Sequence, residues 1–462
     1  MRALLRPLFA LFSGIVLLLL GNGLMNTLVT LAGEARGFST VLLGLFSSGY
    51  FVGFFIGIFA AVPIIRRVGH VRTFAFMAAL AAVVSLMLTL TDHPWLWLLL
   101  RVFYGVALVC LYAVIESWLN AAAPSDIRGR IFALYTILSL VAIAGGQQLL
   151  RLSGPEGLTL FIVVGILVSL ALMPIAMTRL PQPDTLTVPR FRLQPILRAA
   201  PLALATAFVS GLLLGAFWGL MPLYGSQMSF TPAGIGMLMS ASILGGAFGQ
   251  LPIGYYSDRV DRRWVLMVVM ILATVVSVLM IPFGESMVLW VLMALWGAAV
   301  FAIYPVAIAY MVDNIDTSEI ISASSAILLI YGIGAAVGPA IAGMLMEGFG
   351  RGALPAFFAV ILLSMVGVML MSMRRKPVIA EEPTGHFSPM MRSTPQVLEM
   401  MPDAPEEPEE LTSDQVSAVM PETLADDAQS EPMVERSEAA LEAEAAAEAK
   451  TEASIDPNEK PA

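Results

Sequence analysis

Two ionisable side chains, Arg101 and Glu116, fall inside one long apolar run, PWLWLLLRVFYGVALVCLYAVIESWLN. Charge at that depth is costly, about 3 kcal/mol on insertion scales, so each is expected to act rather than fill space. Arg101 suits a proton relay or the partner of an anionic solute. It equally suits a structural pair with Glu34, or a stem that snorkels outward. Glu116, near the other end of the run, suits a brace for Arg66, Arg67 or Arg128, or a protonation site. Asn22, Asn26 and Thr30 recur at i, i+4 and i+8, a single polar stripe on a helix loosened by Gly21 and Gly23. Such a stripe lines a solute path or bonds to a neighbouring helix. Tyr112, Tyr304 and Trp218, with Trp296, Tyr310 and the amides Gln147 and Gln148, offer surface for a small organic solute with apolar area. The same aromatics also serve ordinary packing.

These residues must be held by membrane-spanning helices. The chain has 462 residues, of which 58% are hydrophobic and only 13% charged, beyond the range of soluble domains. Apolar runs long enough to cross ~30 Å of hydrocarbon occur twelve times, at roughly 8–31, 41–65, 73–91, 95–119, 131–151 and 158–178, then 202–224, 233–256, 264–283, 286–311, 321–346 and 353–373. Without water to satisfy the backbone, such runs are helices. The first is too long for the apolar core of a signal peptide and is read as retained. Loop basicity orients the bundle: seventeen Arg and Lys lie on the side of the N-terminus and three (Arg36, Arg151, Arg351) on the other. The positive-inside rule therefore puts both termini in the cytoplasm. The net charge of −9 comes from the region after Lys376, with 21 acidic and 4 basic residues. That Pro-, Glu- and Ala-rich tail is expected to be disordered. One cysteine, Cys110, and three scattered histidines exclude a disulfide framework and a metal site, and no cofactor is expected. No G-x4-G-K-[ST], H-E-x-x-H or G-x-S-x-G pattern occurs, which removes ATP as energy source and argues against an enzyme.

Shifting the chain by 192 residues aligns its halves without gaps. Gly44, Ser48, Gly53, Gly57 and Arg67 fall on Gly236, Ser240, Gly245, Gly249 and Arg259, while Gly105, Tyr112 and Gly146 fall on Gly297, Tyr304 and Gly338. An offset of six spans keeps orientation, so the repeats are parallel.

The stretch IGYYSDRVDRRW then takes on meaning. Gly254, Asp258, Arg259, Arg262 and Arg263 match the loop signature G-x3-D-[RK]-x-G-[RK]-[RK], with Asp261 in place of the second glycine. The first copy keeps Arg67 and Gly69 but has Val62 and Arg66 at the first glycine and the aspartate. The chain thus resembles the major facilitator superfamily over about residues 8–373, and VIESWLN with RGR and FAIYPVA is similar to its YcaD-type bacterial group. The resemblance implies an all-α membrane protein of twelve helices: a six-helix lobe over 1–178, a cytoplasmic linker over 179–200, a second lobe over 201–373 and the acidic tail over 374–462. It implies a secondary transporter of the bacterial inner membrane, acting as a monomer on a small solute and protons, with lipid but no nucleic acid as partner. It also implies that spans 1, 4, 7 and 10 line the cavity.

In the family the charged loops close the cytoplasmic side. The departures here are complementary: the loop before span 11 offers Asp313, Asp316 and Glu319, opposite a copy that has gained Arg66, and PSDIRGR offers Arg128 and Arg130, opposite a copy that has gained Asp261. Two latches of opposite polarity are expected, Arg66/Arg67 with Asp313/Asp316/Glu319 and Asp258/Asp261 with Arg128/Arg130, the alternative being solvated loop charges. GIGAAVGPAIAG resembles an antiporter signature but lies in span 11 rather than span 5, so a bendable, closely packed helix is expected there. A rival reading is a non-transporting sensor that signals through its tail, for which deletion of residues 377–462 discriminates.

Overall fold

The computed structural model describes residues 2–123, 127–177, 196–197, 199–283, 287–315 and 319–373. Asp316, most of the linker and the whole tail lie outside them. Among the described residues twelve long helices follow one another: α1 (Arg2–Ala35), α2 (Thr40–Val68), α3 (His70–Met87), α4 (Pro94–Ala122), α5 (Arg128–Gln148) and α6 (Thr159–Ala176), then α7 (Pro201–Gln227), α8 (Pro232–Ser257), α9 (Arg262–Phe283), α10 (Val288–Val312), α11 (Ile320–Phe349) and α12 (Ala353–Met373). All twelve are long and apolar enough to span a bilayer. They start and stop within a few residues of the predicted runs. Apart from α1, which starts at Arg2 rather than near residue 8, the largest shift is at α3, which begins at His70 because Gly69, at φ +84°, ends α2 and opens α3 with no loop between.

The 192-residue repeat is built into the contacts. Gly105 of α4 lies where a Cβ would strike the carbonyl of Tyr50 on α2, and Gly297 of α10 where it would strike Ser242 on α8, the repeat equivalent of Tyr50. Glycine lets these backbones touch, and small-residue contact is how membrane helices associate when lipid supplies no hydrophobic drive. The helix ends repeat as well. Ser39 and Thr231 cap α2 and α8 by accepting the N–H of Leu42 and Gly234. Just before them, Gly37 (φ +77°) and Ser229 (φ +61°) adopt the same left-handed turn.

Helices α1–α6 pack as one set and α7–α12 as another, and the sets meet along α2–α11, α5–α8 and α1–α7. This seam is itself two-fold. A Cβ on Gly44 would meet the carbonyl of Pro339, and one on Gly236 would meet that of Gln147, again 192 residues apart. The glycine-rich stretch of α11 is therefore a close-packing surface that grips α7 at Gly334 and Gly338 and α2 at Pro339 and Gly343.

Candidate functional site

Between the two sets, near mid-depth, six helices enclose a small cavity of about 30 Å³. Helix α1 contributes Asn22 and Asn26, α4 Tyr112 and α5 Ile143. From the second set come Leu214 and Trp218 of α7, Phe301, Tyr304 and Pro305 of α10, and Tyr331 of α11. The repeat-related Tyr112 and Tyr304 face the same space. Tyr304 packs against Tyr331 with ring centroids 4.8 Å apart, and Trp218 meets Phe301 edge-on at 6.2 Å. Tyr331 escaped sequence reading because it sits on α11, outside the helices that the resemblance assigns to the cavity. Trp296, expected here, stacks instead on Phe217 and donates to Ser277, inside the second set.

The α1 stripe divides its duties. Asn22 and Asn26 line the cavity, and Asn22 Nδ2 donates to Tyr112 Oη at 3.0 Å. Thr30, one turn further, donates to the carbonyl of Gly219 on α7 at 2.8 Å. It is a tie between lobes, not a wall residue. Gln147 is likewise withdrawn: it accepts from Thr27 at 2.6 Å and donates to the Gly23 carbonyl at 2.8 Å, pinning α5 to α1. Its neighbour Gln148 points the other way, across the seam.

Arg101 is 2% exposed and lies behind the wall. Its Nε donates to the Phe46 carbonyl, its Nη2 to Asn26 Oδ1 at 3.4 Å, and its guanidinium sits over the rings of Tyr50 and Tyr104. Cation–π contact and two hydrogen bonds offset the cost of burying this charge. It is one hydrogen bond from the cavity, through Asn26, and it does not snorkel. Glu34, the alternative partner, lies beside Ser226 of α7, across the seam. Glu116 is fully buried, and Tyr135 of α5 donates to its Oε1 at 2.9 Å.

At the α1–α2 end the two sets are tied together by hydrogen bonds. Besides Thr30, Gln148 donates to Ser240 Oγ at 2.6 Å and to the Gly236 carbonyl at 3.2 Å, and Ser240 donates back to the Ala144 carbonyl. Glu347 of α11 accepts the N–H of Val41 in the first turn of α2, where a carboxylate complements the helix dipole.

The charged loops lie at the other end. Asp313 is held by Arg262 of its own set, and Arg262 also bonds Asp258 and Ser257. Among the described residues Asp261 pairs with Arg263 rather than with Arg128 or Arg130. The reason is local. Asp261 immediately precedes α9 and accepts the backbone N–H of Arg263 at 2.9 Å, as an N-cap does. Burial would raise its pKa, but the hydrogen bonds and charge of Arg263 outweigh that and hold the carboxyl below its ordinary value. Arg259 folds over the ring of Tyr255, at 3.5 Å from its centroid. Arg66, Arg67 and Arg130 are exposed and Arg128 is half-buried.

Comparison with known proteins agrees with this geometry. The family model of the Major Facilitator Superfamily matches residues 11–230 and 203–398. An uncharacterized MFS-type transporter of Yersinia enterocolitica is 30% identical over 380 residues, 82% of this chain and 97% of that one. The uncharacterized MFS-type transporter YcaD of Escherichia coli is 31% identical over 347 residues, 74% and 90% of the two chains. Among solved structures, the nucleoside transporter NupG superposes with a TM-score of 0.67 at 17% identity, over 81% of this chain and all of the other. A bacterial homologue of the human lysosomal transporter Spinster, inward-facing and unoccupied, gives 0.61 at 17% identity over 80% and 94%. At such identities these two likenesses show the fold.

Proposed function

The chain belongs to the Major Facilitator Superfamily, a family of secondary transporters, and from that premise we propose that it moves a small organic solute by alternating access, coupled to protons. The observation that carries the reading is the aromatic and amide-lined cavity between two repeat-related helix sets, tied together at the α1–α2 end through neutral and single-charge hydrogen bonds. Bonds of that kind, each worth about 0.5–1.5 kcal/mol net, are strong enough to seal an end and weak enough to exchange. We place the protein in a bacterial inner membrane with both termini cytoplasmic, on the loop charge asymmetry, working as a monomer. The lobes run over 1–178 and 201–373, joined by a linker at 179–200. In this orientation the α1–α2 end faces outward, and the described conformation is the one closed to the outside. When the opposite end closes, Asp313 exchanges Arg262 for Arg66 or Arg67, and Asp258 meets Arg128 or Arg130. Arg101, through Asn26, is the residue that links the cavity to coupling.

The test is uptake into proteoliposomes of a solute found by thermal-shift screening, where a ligand of the folded form raises the melting point. Uptake is expected to fall when the proton gradient is collapsed. Uptake indifferent to the gradient removes proton coupling, and an Arg101→Ala protein with unchanged gradient dependence removes Arg101 from that role.

A further inference from the structure

The orientation of the two cavity asparagines says more than their presence. Asn26 gives its Oδ1 to Arg101, whose guanidinium can only donate. Its amide nitrogen is thereby left as the group to offer to the cavity. Asn22 does the reverse. Its Nδ2 is spent on Tyr112, while its Oδ1 is buried and accepts no hydrogen bond, on a residue only 2% exposed. The α1 wall therefore presents one donor and one acceptor, four residues or about 6 Å apart along the helix. The rest of the wall is five aromatic rings with Ile143, Leu214 and Pro305, and none of its residues is charged.

We propose that this cavity selects an uncharged, planar aromatic solute that carries both a hydrogen-bond donor and a hydrogen-bond acceptor. The inference rests on the transport reading above and narrows its substrate class. A donor on the solute satisfies Asn22 Oδ1, whose burial without a partner is otherwise a standing cost. An acceptor satisfies Asn26 Nδ2, and the ring packs between Trp218 and Tyr304. An anion finds an acceptor where it needs counter-charge, because Arg101 lies behind Asn26, and pays its desolvation without return. At about 30 Å³ the cavity holds no ring as it stands, so entry requires the lobes to part.

The experiment compares four probes on the purified full-length protein by thermal shift: benzamide, benzoate, cyclohexanecarboxamide and toluene. Benzamide keeps ring, donor and acceptor; benzoate loses the donor and gains charge, cyclohexanecarboxamide loses the planar ring, and toluene loses donor and acceptor together. Benzamide is expected to raise the melting point, with at least tenfold higher concentrations of the others needed for the same shift. Asn22→Leu is expected to bring benzamide down to the level of toluene. Benzoate or cyclohexanecarboxamide acting as well as benzamide overturns the assignment, as does toluene doing so. A Ser47→Cys reporter in a Cys110→Ser background separates the two readings, since Ser47 is buried against Gly219 in the seam. Maleimide labelling of that cysteine shows that the α1–α2 end opens. If it labels while no probe shifts the melting point, the substrate class is wrong and transport stands. If it never labels in membranes under any gradient, both fall.

Discussion

Gln147 and Gln148 are adjacent and chemically identical, yet the structure gives them opposite work, and this makes a sharp test of the alternating-access reading. Gln148 reaches across the seam with two hydrogen bonds, to Ser240 Oγ and to the Gly236 carbonyl. Gln147 makes its two bonds to α1, inside its own lobe. Truncating Gln148 to Ala removes two bonds that exist only while the α1–α2 end is shut, a net loss of roughly 1–3 kcal/mol. Ser240 keeps its own bond to Ala144, so little is left stranded. An energy of that size, applied to one of two states, shifts their ratio by about 5- to 150-fold. Spin labels at Leu158 and Phe349, both exposed and in opposite lobes at this end, report the change as a distance distribution. Gln148→Ala is expected to enrich the longer distances. Gln147→Ala is expected to lower the melting temperature, because it empties buried bonds within a lobe, and to leave the distribution alone. A Gln148→Ala distribution indistinguishable from wild type, or a Gln147→Ala one that moves equally, refutes the claim that this seam is a gate.

Three further outcomes follow from the geometry. Gly105→Ala places a Cβ on the Tyr50 carbonyl and is expected to cost about 1–3 kcal/mol of stability; Gly129→Ala, which meets nothing within 4 Å, is expected to be neutral in the same melting assay. Asp261 has its pKa lowered by Arg263, so its contribution to stability is complete above the ordinary carboxylate range and is lost as pH falls through the lowered folded value. Asp261→Asn, which still caps α9, is expected to flatten the acid limb of a melting-temperature profile, and an unchanged limb contradicts the pairing. Glu116→Leu strands the Tyr135 hydroxyl at a cost of about 1–3 kcal/mol, whereas Glu116→Gln still accepts that bond and is expected to melt near wild type.

Much of the architecture could be read without coordinates. Hydropathy located all twelve helices because a spanning segment must be long and apolar whatever surrounds it. The single 192-residue offset paired Gly105 with Gly297, and the structure gives both the same task, backing onto Tyr50 and Ser242, since a duplicated fold needs small residues wherever its backbones touch. Asn22, Asn26, Tyr112, Trp218 and Tyr304 were recognisable as wall candidates for the same reason: polar and aromatic groups on a helix expected to face the central space.

The choice among partners was not legible. Thr30 and Gln147 carry the same kinds of atoms as Asn22 and Asn26, and only the rotation of α1 and α5 decides which face the cavity and which face another helix. A hydrogen bond reaches about 3 Å, so a rotation of one residue reassigns it. For Asp261 the sequence shows charge but not distance, and in the described conformation it pairs with an arginine two residues away. Sequence by itself determined the number, order and pseudo-symmetry of the helices, because those follow from length, composition and repetition. Tertiary structure alone decided that Arg101 takes the oxygen of Asn26 while Tyr112 takes the nitrogen of Asn22, leaving one amide to donate and the other to accept, because that depends on angles between helices that no spacing encodes.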